Sequence, residues 1–234
     1  MAHRGAWAAA PQSSAAAPQN SAAALLSAIE LGCDMVELDV RRTRDGRLVA
    51  IHDARVAGKQ VAALDHRELR GRVQPGQAPA LEELLELAAG RIRLDVELKE
   101  EGYVERVIAA LAAHMTADQY VVTSFLPSAL AETRRAEPEA RTGLLLAAGR
   151  RPRVLERRLQ EAAADFVAPQ ASLARAGLLA WAADRGLDCF VWTVNERRAL
   201  RTLLSDPRVA GVITDRPAKA LALRSVAAEA DHCE

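Results

Sequence analysis

At 234 residues, half of them apolar and 26% charged, the chain is long enough for one sizeable core. Its 31 basic and 31 acidic residues cancel, which excludes the broad positive field that draws in nucleic acid or an anionic membrane. No apolar run approaches the roughly 18–20 residues of a membrane span, and chemistry-bearing residues from position 3 onward leave no room for a cleaved signal peptide.

Short apolar runs alternate with amphipathic stretches along the whole chain. The spacing predicts a strand stub at 2–4, an Ala/Pro/Gln/Ser-rich surface loop over 8–24 and a helix over 20–31, capped by Asn20 or Ser21 and ended by Gly32. A strand over 35–40 follows, with 48–52 as an excursion beside it and a helix over 80–89. Next come strands at 92–98, 120–124 and 142–146, each followed by a helix, over 103–114, 127–136 and 154–163. The last third reads as strands at 166–167, 189–194 and 209–213 and helices over 173–185, 196–204 and 217–228, with Gly186 ending the first of these helices and Asn195 capping the second. Parallel β-α-β units repeated eight times predict an α/β fold, a single (β/α)8 TIM barrel over 1–234 with a truncated first strand. A doubly wound open sheet is the alternative, but no GxGxxG follows any strand.

In such a barrel the chemistry collects at the C-terminal ends of the strands. His3, Arg4, Glu37, Asp39, Glu97, Lys99, Ser124, Trp192 and Asp215 all fall at or near such ends. Glu37 and Asp39, two residues apart, point to one face of a strand and repel unless a cation lies between them. Glu97 on the following barrel strand could be a third carboxylate. Three carboxylates without His or Cys suit a hard ion, Mg²⁺ or Ca²⁺, although Arg4, Arg41 or Arg42 could neutralise the pair instead. His3 and His52 each end an apolar run, where they serve either as an acid/base pair or as hydrogen-bonded structural residues. His66, His114 and His232 lie in helical or terminal positions and are read as structural. Arg4 offers a fork of donors to a phosphate, and Lys99, one of three lysines, adds a point charge. Trp192 is either an apolar substrate wall or a core residue. Cys33, Cys189 and Cys233, far apart and without CxxC spacing, read as reduced thiols of a cytoplasmic protein.

Taken together, AHRG at 2–5, PQNS at 18–21, ELGCDMVELDVRRTRDGRLVAIHD at 30–53, PALEELLEL at 79–87, DVELK at 95–99, TSFLP at 123–127, FVWTVN at 190–195 and GVITDRP at 211–217 resemble the glycerophosphodiester phosphodiesterase family. The resemblance runs the length of the chain, in order. It implies a metal-dependent TIM-barrel enzyme that cleaves glycerophosphodiesters such as glycerophosphocholine or glycerophosphoethanolamine to glycerol 3-phosphate and an alcohol. His3 and His52 would be its acid/base pair, Glu37, Asp39 and Glu97 the ligands of one divalent cation, and Arg4, Lys99 and Trp192 its substrate contacts, with Gln19 and Asn20 in support. The implied partner is a small molecule, and the oligomeric state is left open. Three departures stand out: Gln19 replaces the family's usual glutamate, few residues precede His3, and the loop after Asp53 is short. They allow two alternatives, an impaired barrel that only binds phosphodiesters and a related lysophospholipase D or cyclising lyase.

Overall fold

The structure, a computed structural model, describes residues 1–8, 17–147 and 152–231, without the side chains of 152–153 and 226–231. The chain starts with β1 (Ala2–His3), α1 (Ala22–Glu30) and β2 (Met35–Arg42). A small excursion follows, formed by β3 (Leu48–Ala50), β4 (Arg55–Val56), β5 (Lys59–Gln60), a 3-10 turn at Val61–Ala63 and α2 (His66–Arg70). The alternation resumes with α3 (Leu81–Ala88), β6 (Arg93–Leu98), α4 (Val104–His114), β7 (Tyr120–Ser124), α5 (Pro127–Ala136), β8 (Arg141–Leu146) and α6 (Pro152–Ala162). It ends with β9 (Phe166–Pro169), α7 (Ala171–Leu173), α8 (Leu179–Ala183), β10 (Asp188–Val191), α9 (Arg197–Leu204), β11 (Gly211–Val212) and α10 (Pro217–Asp231).

Eight strands run parallel in the order β1-β2-β6-β7-β8-β9-β10-β11. The two ends of that sheet meet: Ala2 bridges Thr214 in parallel, His3 N–H donates to Thr214 C=O (3.0 Å), and Thr214 N–H donates to Met1 C=O (3.2 Å). The fold is thus the α/β barrel expected from the alternation, and its first strand is two residues long. The 48–52 run is an excursion, paired antiparallel to β2.

Strand periodicity sorts the side chains. On β2, Val36, Leu38 and Val40 belong to the large aliphatic cluster between sheet and helices, as do Leu94, Val96 and Leu98 on β6. The intervening residues face the barrel interior. Its floor is an apolar layer of Met35, Val121 and Phe166, with Phe190 packed edge-on against Phe166 at 5.0 Å. One layer above, the inward residues are acidic, because the β2–β6 register sets Glu37 opposite Asp95 and Asp39 opposite Glu97.

Several local expectations are corrected. Helix α1 starts at Ala22 with Ser21 as its cap, whose hydroxyl accepts from Ala24 N–H (3.1 Å). Asn20 instead turns inward, and the expected surface loop does not extend to Asn20 and Ser21, which are buried, whereas 17–19 are half-buried. Residues 9–16 of that expected loop, with His232 and Cys233, lie outside the described residues. The helix over 173–185 is broken by a π turn at Ala174–Leu178, where Gly177 adopts φ +92°. Asn195 does not cap α9; Glu196 occupies that position.

Gly5 illustrates how sequence fixes the approach to the site. Its φ is +82°, and a Cβ there would lie 2.6 Å from Ala24 Cβ, against the first turn of α1. A Gly5→Ala variant therefore meets both backbone strain and a clash, with an expected loss of about 2–4 kcal/mol and a lower Tm in thermal denaturation. An unchanged melting curve would contradict this packing.

Candidate active site

The neighbouring strands β2 and β6 bring Glu37, Asp39 and Glu97 together, one carboxylate oxygen from each within 4.8 Å of the others. All three are buried. Charge balance in this cluster is local and incomplete. Lys99 Nζ lies 2.6 Å from Glu97 Oε1 and 2.8 Å from Asp39 Oδ1, and Arg4 Nε lies 3.0 Å from Asp39 Oδ2. Asp39 Oδ1 and Arg4 Nε are charge-paired without hydrogen-bond alignment, and among the described residues Glu37 Oε1 has no hydrogen-bond partner. Two of the three arginines considered as neutralising partners are engaged elsewhere. Arg41 donates to His52 C=O (3.0 Å) and pairs with Glu100, and Arg42 donates to Gly102 C=O (2.8 Å).

Burial sets the protonation of the cluster. It drives Glu37 well above the ordinary carboxylate range, reinforced by the neighbouring charges of Asp39 and Glu97. Burial also lifts Glu97 to about 7, against the opposing pull of Lys99. For Asp39, burial is outweighed by Lys99 and Arg4, and the group falls to about 2. Among the described residues the orphaned oxygen of Glu37, the all-oxygen donor set and the surplus negative charge fit a hard divalent cation.

The supporting contacts explain the sequence around the site. Asn20 clamps Asp39 at two points, its Nδ2 donating to Oδ2 (2.8 Å) and its Oδ1 accepting from Asp39 N–H (3.0 Å). Arg4 sits at φ +56° and Asn20 at +54°, left-handed conformations that side chains rarely adopt. That turn aims Arg4 N–H at Glu37 Oε2 (2.9 Å) and Arg4 Nη1 at Gln19 Oε1 (2.9 Å). Tyr103, which sequence inspection did not single out, donates its hydroxyl to Val40 C=O (2.7 Å) and accepts from Lys99 N–H (3.0 Å), fixing the strand end that carries Lys99.

Both histidines face the same chamber, each with a carboxylate behind it. His3 Nδ1 is 2.7 Å from Asp215 Oδ1, and His3 Nε2 looks toward Glu37 Oε2 at 3.8 Å. Asp215 is itself held by Asn195, whose Nδ2 donates to Asp215 Oδ2 (2.6 Å) and whose Oδ1 accepts from Asp215 N–H (2.9 Å). His52 Nδ1 pairs with Asp53 Oδ1 (2.8 Å), and Asp39 C=O accepts from Ile51 N–H (2.9 Å), which anchors the backbone just before it. Burial lowers the His52 pKa, partly offset by Asp53. The chamber, about 70 Å³, is walled by Phe125, Leu145, Trp192 and Ile213. Trp192 packs edge-on against Phe125 at 5.6 Å and donates its indole N–H to Ala168 C=O (2.6 Å). Asp95 lines it too, a carboxylate not singled out from sequence; burial lifts it to about 7, and it accepts from Thr123 Oγ1 (2.6 Å). Ser124, also flagged at a strand end, is turned away, donating to Leu98 C=O (2.7 Å). Of the histidines read as structural, His66 binds Ala78 C=O through Nε2 (3.0 Å) and His114 ends α4.

Comparison with known proteins follows the same lines. A glycerophosphodiester phosphodiesterase of Caldanaerobacter subterraneus subsp. tengcongensis is 28% identical over 211 residues, covering 81% of this chain and 85% of its own. The crystal structure of a glycerophosphodiester phosphodiesterase from Parabacteroides distasonis superposes with a TM-score of 0.80 at 26% identity, covering 97% of this chain and 96% of that one. An Oleispira antarctica phosphodiesterase, solved in complex with the product sn-glycerol-3-phosphate, gives a TM-score of 0.80 at 25% identity over 96% and 95% of the two chains. Residues 3–219 match the profile of the Glycerophosphoryl diester phosphodiesterase family, and the chain belongs to that family.

Proposed function

We propose that this enzyme hydrolyses glycerophosphodiesters, glycerophosphocholine and glycerophosphoethanolamine among them, to glycerol 3-phosphate and a free alcohol. One observation carries the reading: of three carboxylates clustered within 4.8 Å, Glu37 and Glu97 line a chamber together with two histidines and two cations, and Asp39 lies buried behind them. Glu37, Asp39 and Glu97 would hold a single Mg²⁺ or Ca²⁺. Such an ion supplies Lewis-acid stabilisation of the charge that builds on the phosphoryl oxygens.

The protein's own groups do the remainder. Arg4 and Lys99 bind the phosphate and stabilise its transition state. Lys99 now balances Asp39 and Glu97, and once that charge is otherwise balanced its ammonium is available to the substrate. Asp215 and Asp53 keep a proton on Nδ1 of His3 and His52, leaving each Nε2 to exchange protons with reacting oxygens. One imidazole takes a proton from the attacking water while the other donates one to the departing alkoxide, so that phosphorus gains the water oxygen and loses the alcohol. Trp192 and Phe125 give the glycerol backbone an apolar wall. Gln19 keeps Arg4 in place by the hydrogen bond that a glutamate would also offer, so the departure at this position leaves the anchor intact. Unpaired thiols at Cys33 and Cys189 suit a cytoplasmic role in glycerol and lipid metabolism.

Product-resolved ³¹P NMR over several glycerophosphodiesters, with Mg²⁺, Ca²⁺ or EDTA, tests this. Glycerol 3-phosphate with the ion and none with EDTA is expected. A cyclic phosphate as final product would select the lyase alternative, and no turnover of any diester would select the binding-only one. Asp215→Asn keeps the shape of the site but removes the carboxylate that fixes the His3 tautomer. A drop in kcat of about 10-fold or more, with KM little changed, is expected. An equal loss in kcat/KM from raised KM alone would assign Asp215 a merely structural role.

A further inference from the structure

Arg4 and His52 line two cavities, not one. On their far side from the chamber of about 70 Å³ lies a second, open groove of about 400 Å³, formed by the 50–57 and 72–78 segments of the excursion. At roughly 10–15 Å³ per water-sized position, the chamber takes about five to seven such positions, room for a small polyol. The groove takes many times that. A phosphodiester centred between Arg4 and His52, with its glycerol in the chamber, would have its other alcohol in the groove.

The groove's charge is one-sided. Arg55 and Arg72 both line it, and their guanidinium groups donate to backbone: Arg55 Nη2 to Gly58 C=O (2.7 Å) and Arg72 Nη1 to Glu68 C=O (3.1 Å). Neither forms an ion pair with a carboxylate among the described residues, unlike Arg44 beside them, which pairs with Asp65 and Glu68. Asp53 is the single carboxylate among the described lining residues, and its Oδ1 is committed to His52. Among the described lining residues there is no Phe, Tyr or Trp, so they offer a quaternary ammonium group no aromatic cage.

We propose that Arg55 and Arg72 select glycerophosphodiesters whose alcohol carries its own anionic group, a carboxylate or phosphate, over those with a cationic head group. This rests on the hydrolytic reading of the site above. Paired guanidinium groups gripping a second anion would act on substrate capture, and the effect would weaken with salt.

Glycerophosphoserine and glycerophosphoethanolamine differ by one carboxylate, so the ratio of their kcat/KM values isolates the effect. A ratio of roughly 10 or more in favour of the serine diester is expected at low salt, expressed in KM. In the Arg55→Gln/Arg72→Gln double variant the ratio should fall to about one. Because both substrates are measured on the same protein, partial misfolding cancels. A wild-type ratio near or below one, with both diesters cleaved, overturns the selection proposal alone, as does a ratio that the double variant leaves intact. Cleavage of neither diester under any divalent ion overturns the hydrolytic reading beneath it.

Discussion

His52→Ala is expected to lower kcat on a glycerophosphodiester by about 10²–10⁴-fold, the usual worth of a positioned acid/base group. The ring stands between chamber and groove, so in the proposed pose it adjoins the departing alcohol. Its lowered pKa, caused by burial, favours the neutral imidazole in the free enzyme. A bound phosphodiester anion would oppose that shift and load the proton needed by the leaving oxygen. The consequence is selective. A diester with a nitrophenol leaving group, which needs no protonation, should recover most of the loss in His52→Ala but little in His3→Ala. Equal losses for both variants on both leaving groups would remove the division of labour, and wild-type turnover by His52→Ala would remove the histidine from the reaction.

Removing the divalent ion should be as severe, through EDTA or through Glu37→Gln. Loss of several kcal/mol of charge stabilisation corresponds to at least about 10³-fold in rate. The same carboxylates give a second readout that needs no substrate. In the folded protein Glu97 keeps its proton to about 7, and Glu37 is also held well above its ordinary value, whereas in the unfolded chain both ionise near their ordinary values. Between those limits the folded state binds more protons, so stability of the metal-free protein falls as pH rises from about 5 to about 7. Asp39, depressed to about 2, contributes in the opposite sense, but only below about pH 4. Binding an ion requires the carboxylates ionised and relieves their repulsion. Mg²⁺ or Ca²⁺ should thus raise Tm more at pH 8 than at pH 5.5, by about 5 °C or more at the higher pH. A shift of the same size at both pH values, or none, would argue against ligation at this cluster.

Much of the barrel was legible because two periodicities are visible in the chain. Period two on β2 put Glu37 and Asp39 on one face, and alternation with helices put β6 next to it; the register then sets Asp39 opposite Glu97. Asp95 obeys the same rule: it lies two residues before Glu97 on the inward face of β6, and the β2–β6 register sets it opposite Glu37, so period two was a signal that could have found it. Asn195 reads locally as a helix cap, yet its amide serves Asp215, 20 residues away, a tertiary demand that local rules do not contain. The 55–60 hairpin, two residues per strand, is too short to leave a periodic trace. At Gly177 the apolar spacing continues across the break, so the kink is invisible to pattern alone.

Closure of the sheet through Ala2 and Thr214 has a further consequence for how the molecule comes to life. In order of synthesis His3 comes more than 200 positions before its backbone partner Thr214 and its ring partner Asp215. Until they arrive, the imidazole of His3 has neither a fixed height nor a fixed tautomer. Nascent chains with an intact carboxylate cluster would therefore remain silent toward phosphodiesters, and turnover would report the last seam of the barrel to be sewn.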